Sequence, residues 1–203
     1  MQHSTVASVH AFTRRELAQD SKIRPIRSDD AWTWPNEYPT GAPLFFSALG
    51  TTARIAGGFK HQRRIDYDLN LALARAAKEA GARVYVLVST SGASPDSMVP
   101  YSKMKGELDE AVKAIGFEHV VILKPGLLVG TRSDSRPGEY AARAMASLLE
   151  RIGANRLKDP WAHDAHVVAA AAVRAGLGAL SGERTDRVRV LNQSEIIRLG
   201  RSK

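Results

Sequence analysis

The sequence contains no cysteine among its 203 residues. That excludes disulfides, cysteine nucleophiles and thiolate metal sites together, and it fits a reducing compartment. Long apolar runs are missing too: the most hydrophobic stretches, 84–88 and 120–129, are strand-sized and far short of the roughly 18 residues a membrane-crossing helix needs. Met1 to Phe12 holds no lysine or arginine and no sustained apolar core, so no secretory leader is expected there and a cytosolic-side location is favoured. Aromatic residues are sparse, at 6%, and are not interleaved with the dispersed basic residues as a base-stacking surface requires. Nucleic acid is therefore not expected as a partner. The net charge of +8 still suits an anionic ligand, such as a nucleotide, or a peripheral contact with an acidic membrane.

A content of 44% hydrophobic and 25% charged residues is ordinary for one sizeable core, so a single domain spanning 1–203 is expected. β-rich and helical patterns alternate, which predicts an α/β fold with a mostly parallel sheet and flanking helices. Strands are expected over Thr5–Phe12, Ile23–Arg27, Leu44–Leu49, Arg83–Ser89, His119–Leu123 and Val188–Leu191. Between the second and third, Ala31 to Pro43 carries three prolines and two tryptophans and reads as irregular. Apolar residues at Ile65, Leu69, Ala72, Leu73, Ala76 and Ala80 predict a helix that Gly81 stops. Met104, Leu108, Ala111, Val112 and Ile115 predict another over Tyr101–Ile115, ended by Gly116. A loop over Pro125–Gly138, a helix near Glu139–Ile152, an alanine-rich helix from about Asp164 to Ala175 and a last helical turn complete the reading.

Tyr101-Ser-Lys-Met-Lys105 places a phenol and an ammonium four residues apart, roughly 40° around a helix axis. A tyrosine alone is a poor acid-base group near neutral pH, because its ordinary pKa is about 10. A nearby ammonium favours the phenolate, so the pair can exchange a proton with a carbonyl or alcohol while a nicotinamide moves hydride. The bland alternative is a tyrosine packed at a helix end beside a solvated lysine. Val88-Ser-Thr-Ser-Gly-Ala93 delivers hydroxyls at a strand's carboxyl end, where open α/β sheets bind ligands. Ser91 is the first choice to polarise a substrate carbonyl and Ser89 the second, with backbone capping as the competing role. Leu49 and Gly50 end another strand, where the glycine either admits a ligand closely or simply makes a turn. Arg14 and Arg15 follow the first strand, at the position where arginine accommodates a cofactor 2′-phosphate and an acid selects the 2′-hydroxyl. This favours NADP(H) over NAD(H), against the alternative of solvated loop arginines. No metal site is expected.

Several segments together resemble one family: Phe46-Ser-Ala-Leu-Gly-Thr-Thr52, Asp66-x-x-x-Asn70, Ser89-Thr-Ser-Gly-Ala93, Tyr101-Ser-Lys-Met-Lys-Gly106, Leu123-Lys-Pro-Gly126, Ser135-Arg-Pro-Gly-Glu139 and Asn192-Gln-Ser-Glu-Ile-Ile-Arg-Leu-Gly200. They are similar to the fungal "found in mitochondrial proteome" proteins, atypical short-chain dehydrogenase/reductases related to the human Tat-interacting oxidoreductase. The resemblance runs from about Val6 to Arg201. It implies a Rossmann-like fold, NADP(H) binding, action on a small carbonyl or alcohol, and peripheral attachment to the mitochondrial outer membrane. By resemblance Tyr101 is the active-site tyrosine and Lys105 its ribose-binding partner, with Arg14 and Arg15 as 2′-phosphate contacts. Leu49 and Gly50 then lie beside the adenosine, and Leu128 and Arg136 border the cofactor. For Arg136 a bidentate phosphate contact agrees with its chemistry, while pairing with Asp134 or Glu139 is the plainer role.

The resemblance also implies an opening strand, a Gly-x-x-Gly-x-x-Gly loop and a helix, which this sequence lacks. That strand is expected between those at Thr5–Phe12 and Leu44–Leu49, and Met1–Thr5 are too few to replace it. Two readings stay open: an active reductase whose start lies further upstream, or a non-catalytic Rossmann-fold adaptor that has lost cofactor binding.

Overall fold

The computed structural model describes residues 6–17, 19–129, 162–183 and 185–202. Its centre is a four-stranded parallel sheet built from β3 (Leu44–Ser47), β4 (Val84–Val88), β5 (His119–Leu123) and β8 (Val188–Leu191), in the spatial order β3-β4-β5-β8. Parallel neighbours need crossover connections, and helices supply them on both faces. Along β4 the side chains alternate between two cores. Val84 and Val86 join Val121, Leu123 and the alanine face of α5 (Ala165–Leu180), together with Ile196 of α6 (Gln193–Arg201). Tyr85 and Leu87 join Val120, Ile122 and the buried faces of α3 (Asn70–Glu79) and α4 (Pro100–Ala114). Burial on both sides explains why these strands read as continuous apolar runs.

The four-strand frame confirms the expected α/β class. The strands at Ile23–Arg27, His119–Leu123 and Val188–Leu191 match their expected bounds, and the helix expected over Tyr101–Ile115 appears as α4, one residue earlier at each end. The first strand sits at β1 (Val9–Thr13), later than expected, and pairs in parallel with β2 (Ile23–Arg27) in a separate two-stranded sheet. No ladder joins β1 to β3 among the described residues. Contact between the two sheets passes through aromatic rings instead: Phe12 meets Trp34, Tyr38 and Phe45 at centroid distances of 5.7, 5.8 and 6.5 Å. Trp34 lies in a 3-10 helix, Ala31–Glu37, inside the stretch expected to be irregular, capped by the Asp30 side chain accepting from the Trp32 amide.

The helix expected over Ile65–Ala80 is composite. Two short helices, α1 (Ala53–Ala56) and α2 (Phe59–Arg63), lead into a π-helical turn, Arg64–Leu69, and only then into α3. The 3.6-residue periodicity cannot register a wider turn, so the irregularity was invisible in the apolar spacing. A three-residue strand, β6 (Leu127–Val129), occupies part of the expected Pro125–Gly138 loop and pairs with β7 (Ala162–Asp164). Its partner is distant in sequence, so no local pattern marks it. Residues 130–138 of that loop and the helix expected near Glu139–Ile152 lie outside the described residues.

Candidate functional site

Helix α4 begins at Pro100, whose missing N–H costs nothing at a first helical position. Tyr101 in this first turn is 39% exposed, whereas Lys105, one turn further, is 3% exposed. The lysine Nζ points to the end of β4 and donates to the Val88 carbonyl at 3.5 Å, a long contact. Burial lowers the Lys105 pKa, and the carboxylates of Asp66 and Asp109 oppose that shift. Burial raises the Tyr101 pKa, and Asp66 raises it further. The ammonium lies at the Val88 carbonyl, in the field of two carboxylates.

The loop after β4 is strapped from three sides. The Ser89 and Ser91 amides donate to Leu123 and Pro125 carbonyls, each at 2.8 Å, prolonging the β4–β5 ladder past its last paired residues. Lys124 Nζ donates to the Ala93 carbonyl at 2.8 Å and pairs with Asp109 of α4 at 3.1 Å. Gly106 of α4 faces the Ser94–Pro95 backbone so closely that a Cβ would overlap it. Gly92, at φ 76°, makes the turn that an L side chain resists. The outcome separates the two candidate serines. Ser91 is exposed at the strand's carboxyl end, while Ser89 is 7% exposed with its Oγ buried and unpartnered.

At the end of β3, Leu49 packs against Trp34, Leu69 and Leu73, and its carbonyl accepts from Asn70 Nδ2 at 3.2 Å. Gly50 turns its side-chain direction toward the Asp66 carboxylate, where a Cβ would lie 3.6 Å from Oδ2. That is an ordinary contact distance and the φ is not positive, so neither space nor backbone conformation requires glycine here. Arg14 and Arg15 follow β1 and are exposed. Arg15 lines an open cavity of about 550 Å³ with Arg27, Gln19 and Asp20, and Arg14 is not among the residues lining it. Leu128 is the middle residue of β6, paired with His163. Arg136 lies outside the described residues.

The fold thus brings Gly50, Ser91, Tyr101 and Lys105 to the carboxyl ends of β3, β4 and the start of α4, while Arg14 and Arg15 follow the first strand of the smaller sheet. Sequence reasoning assigned no role to Asp66, Asn70, Asp109, Lys124 or Gly106. Asp109 did carry a signal: it continues the Tyr101, Lys105 spacing by one more turn, along a stripe that is otherwise apolar.

The matches to known proteins agree with this geometry. The HIM1 family model matches residues 40–156, more than half of the chain. A protein from Aspergillus terreus named "Protein fmp52-1, mitochondrial" is 49% identical over 98% of this chain and 90% of its own length. "Protein fmp52, mitochondrial" from Emericella nidulans is 46% identical over 91% of this chain and 81% of its own. Among solved structures, "MoeE5 in complex with UDP-glucose and NAD" aligns with a TM-score of 0.62 at 20% identity, covering 91% of this chain and 67% of that one. At that identity the likeness shows a shared Rossmann-like fold. On sequence, the chain belongs to the HIM1 family, beside fungal relatives whose names place them in mitochondria.

Proposed function

We propose that the chain is an NADP(H)-dependent oxidoreductase of the short-chain dehydrogenase/reductase type, acting on a small carbonyl or alcohol at the mitochondrial outer membrane. The observation that carries this reading is the placing of Tyr101 and Lys105 one helical turn apart, beside the strand ends that hold Ser91 and Gly50. Rossmann-like sheets bind ligands at this edge. The residues also fit a dinucleotide: Lys105 has three N–H donors and makes one long hydrogen bond to protein, which leaves donors for ribose hydroxyls.

Bound nicotinamide supplies or accepts the hydride. In the reductive direction Tyr101 donates its proton to the carbonyl oxygen, and its raised pKa keeps that proton in place beforehand. Ser91 donates a hydrogen bond to the same oxygen, and Lys105 holds the ribose. Arg14 and Arg15 pair with the 2′-phosphate, and Arg136 contacts a phosphate. Leu49, Gly50 and Leu128 pack beside the adenosine half. The 3-10 segment within Ala31–Pro43, the Ser94–Pro100 loop and residues Thr131–Pro137 shape the substrate pocket. Peripheral membrane attachment is supported by the net charge of +8 and by the relatives' mitochondrial names. Alkaline extraction of outer membranes should release the protein.

Calorimetry with NADPH tests the cofactor assignment: binding should weaken at least tenfold when Arg14 and Arg15 are both replaced by alanine, about 1.4 kcal/mol. Turnover on aldehydes and ketones should disappear in Tyr101→Phe, and unchanged turnover there overturns the catalytic assignment. The second reading, a non-catalytic Rossmann-fold adaptor, is favoured by one feature: Arg14 and Arg15 follow a strand whose sheet, among the described residues, has no ladder to the sheet that α4 packs on. A cooperatively folded protein that gives no heat with NADPH or NADP decides for the adaptor.

A further inference from the structure

Asp66 enters the core at the π-helical turn, a device that recurs at functional sites because it redirects side chains within an otherwise regular helix. It is 1% exposed. Its Oδ1 accepts from the Thr51 amide at 2.7 Å, and its Oδ2 accepts from Gln62 Nε2 at 3.4 Å. Gln62 Nε2 also donates to the Thr51 carbonyl at 3.0 Å, so one carboxylate and one amide hold both the N–H and the C=O of Thr51. Four residues on, the side chain of Asn70 donates to the carbonyls of Asp66 and Leu49 at 3.1 and 3.2 Å and accepts from the Ser47 hydroxyl. The turn after β3 is therefore held by side chains of α2, the π turn and α3.

Asp66 has a second set of neighbours. Helix α4 packs on the π turn, and the Asp66 carboxylate acts electrostatically on both Lys105 and Tyr101. Other charged groups nearby are accounted for. Asp109 faces Lys105 from α4 and is itself paired with Lys124, and Arg63 is engaged by Glu107 at 2.6 Å while lying 4.4 Å from the Tyr67 ring centroid. Of the two acids that act on Lys105, Asp66 is thus the one with no lysine or arginine ion pair among the described residues.

We propose that Asp66 is a positioning residue of the site, a buried acid that fixes the Gly50–Thr51 turn through a hydrogen bond and holds the Lys105 ammonium through its charge. This rests on the reading of Lys105 as the cofactor-binding partner of Tyr101. One side chain then sets the relative placement of two parts of a dinucleotide site, the turn at the end of β3 and the lysine on α4. Burial raises the Asp66 pKa, and the Thr51 amide, the Lys105 ammonium and the Gln62 amide oppose that shift.

The test uses the full chain carrying 13Cε-labelled lysine, with Lys105→Met to assign the resonance. In Asp66→Asn the amide oxygen still accepts from Thr51, but the charge is gone. The Lys105 titration midpoint should fall by about one pH unit, the size of effect expected from a nearby opposite charge. Thr51 amide exchange should stay as in the parent. In Asp66→Ala, where the acceptor is also lost, Thr51 exchange should accelerate roughly tenfold, as loss of one hydrogen bond of about 1.4 kcal/mol requires. A Lys105 midpoint in Asp66→Asn that is unchanged or higher overturns the assignment, because a purely structural acid would leave it where it was. If these shifts occur in a protein that binds no NADP(H), the oxidoreductase reading fails while the role of Asp66 stands.

Discussion

Lys124 at the end of β5 meets Asp109 of α4 at 3.1 Å, with the aspartate side chain 2% exposed and the lysine 27% exposed. Neither carboxylate oxygen makes a well-directed hydrogen bond, so the contact is ionic rather than a directed pair. Its consequence is geometric: the same ammonium binds the Ala93 carbonyl, tying the loop that carries Ser91 to the helix that carries Tyr101. Removing the cation alone leaves a buried carboxylate without its ion-pair partner. Lys124→Met should cost about 3 kcal/mol in urea unfolding, and the double variant Lys124→Met with Asp109→Leu should recover most of it. A Lys124→Met protein as stable as the parent would falsify this account of the pair.

Gly106 sits in the interior of a helix, where glycine is ordinarily unfavourable by about 1 kcal/mol relative to alanine. Alanine should nonetheless be worse here, because its methyl would overlap the Ser94–Pro95 backbone, which has no side-chain freedom with which to yield. Gly106→Ala is expected to destabilise the chain by about 3 kcal/mol and to loosen the Ser91 loop. Chemical denaturation measures the first effect, and amide exchange at Ser94, whose N–H donates to the Ser102 carbonyl, measures the second.

Two phenols of the aromatic core, the fully buried Tyr85 and the partly buried Tyr38, have pKa values pushed well above the ordinary range by burial. The unfolded chain ionises them near pH 10, and the folded chain resists. Their raised values therefore contribute stability that is whole below about pH 10 and is lost as the pH rises toward the folded values. Denaturation midpoints should fall steeply above about pH 10, and Tyr85→Phe should flatten that fall. An identical alkaline limb in Tyr85→Phe would remove Tyr85 as a cause.

Asp66 obeys the same sign. Its folded pKa lies above the ordinary carboxylate value, so its contribution is present below about pH 4 and diminishes as the pH rises through the folded value. Asp66→Asn, which resembles the neutral form, should be at least as stable as the parent at neutral pH. Thermal unfolding between mildly acidic and neutral pH checks this, and a lower Tm for the variant at neutral pH contradicts it.

Much of the frame was legible because strands buried on both faces declare themselves as apolar runs. β4 and β5 could be read directly from Val84–Val88 and His119–Leu123. The Tyr101, Lys105 pair was legible because a helix converts a spacing of four into a shared face. The π turn at Arg64–Leu69 was not, since the apolar positions on either side still fit a regular helix within their tolerance. Nor was β6, whose stability comes from a partner more than thirty residues away.

The sequence by itself determined which chemistries are present: a phenol and an amine one turn apart, hydroxyls at a strand end, no thiols, and enough alternation to require a parallel sheet. Tertiary structure alone decided what each group experiences. The spacing places Lys105 on the face of Tyr101, and the fold adds the Val88 carbonyl and the field of Asp66 and Asp109 around its ammonium. Ser91 and Ser89 are first and second choice on paper, and the turn that the chain makes after β4 leaves Ser91 exposed and Ser89 buried. The physical reason is common to both cases. Spacing fixes direction within one element, whereas burial and charge come from the neighbouring elements, whose approach no local pattern records.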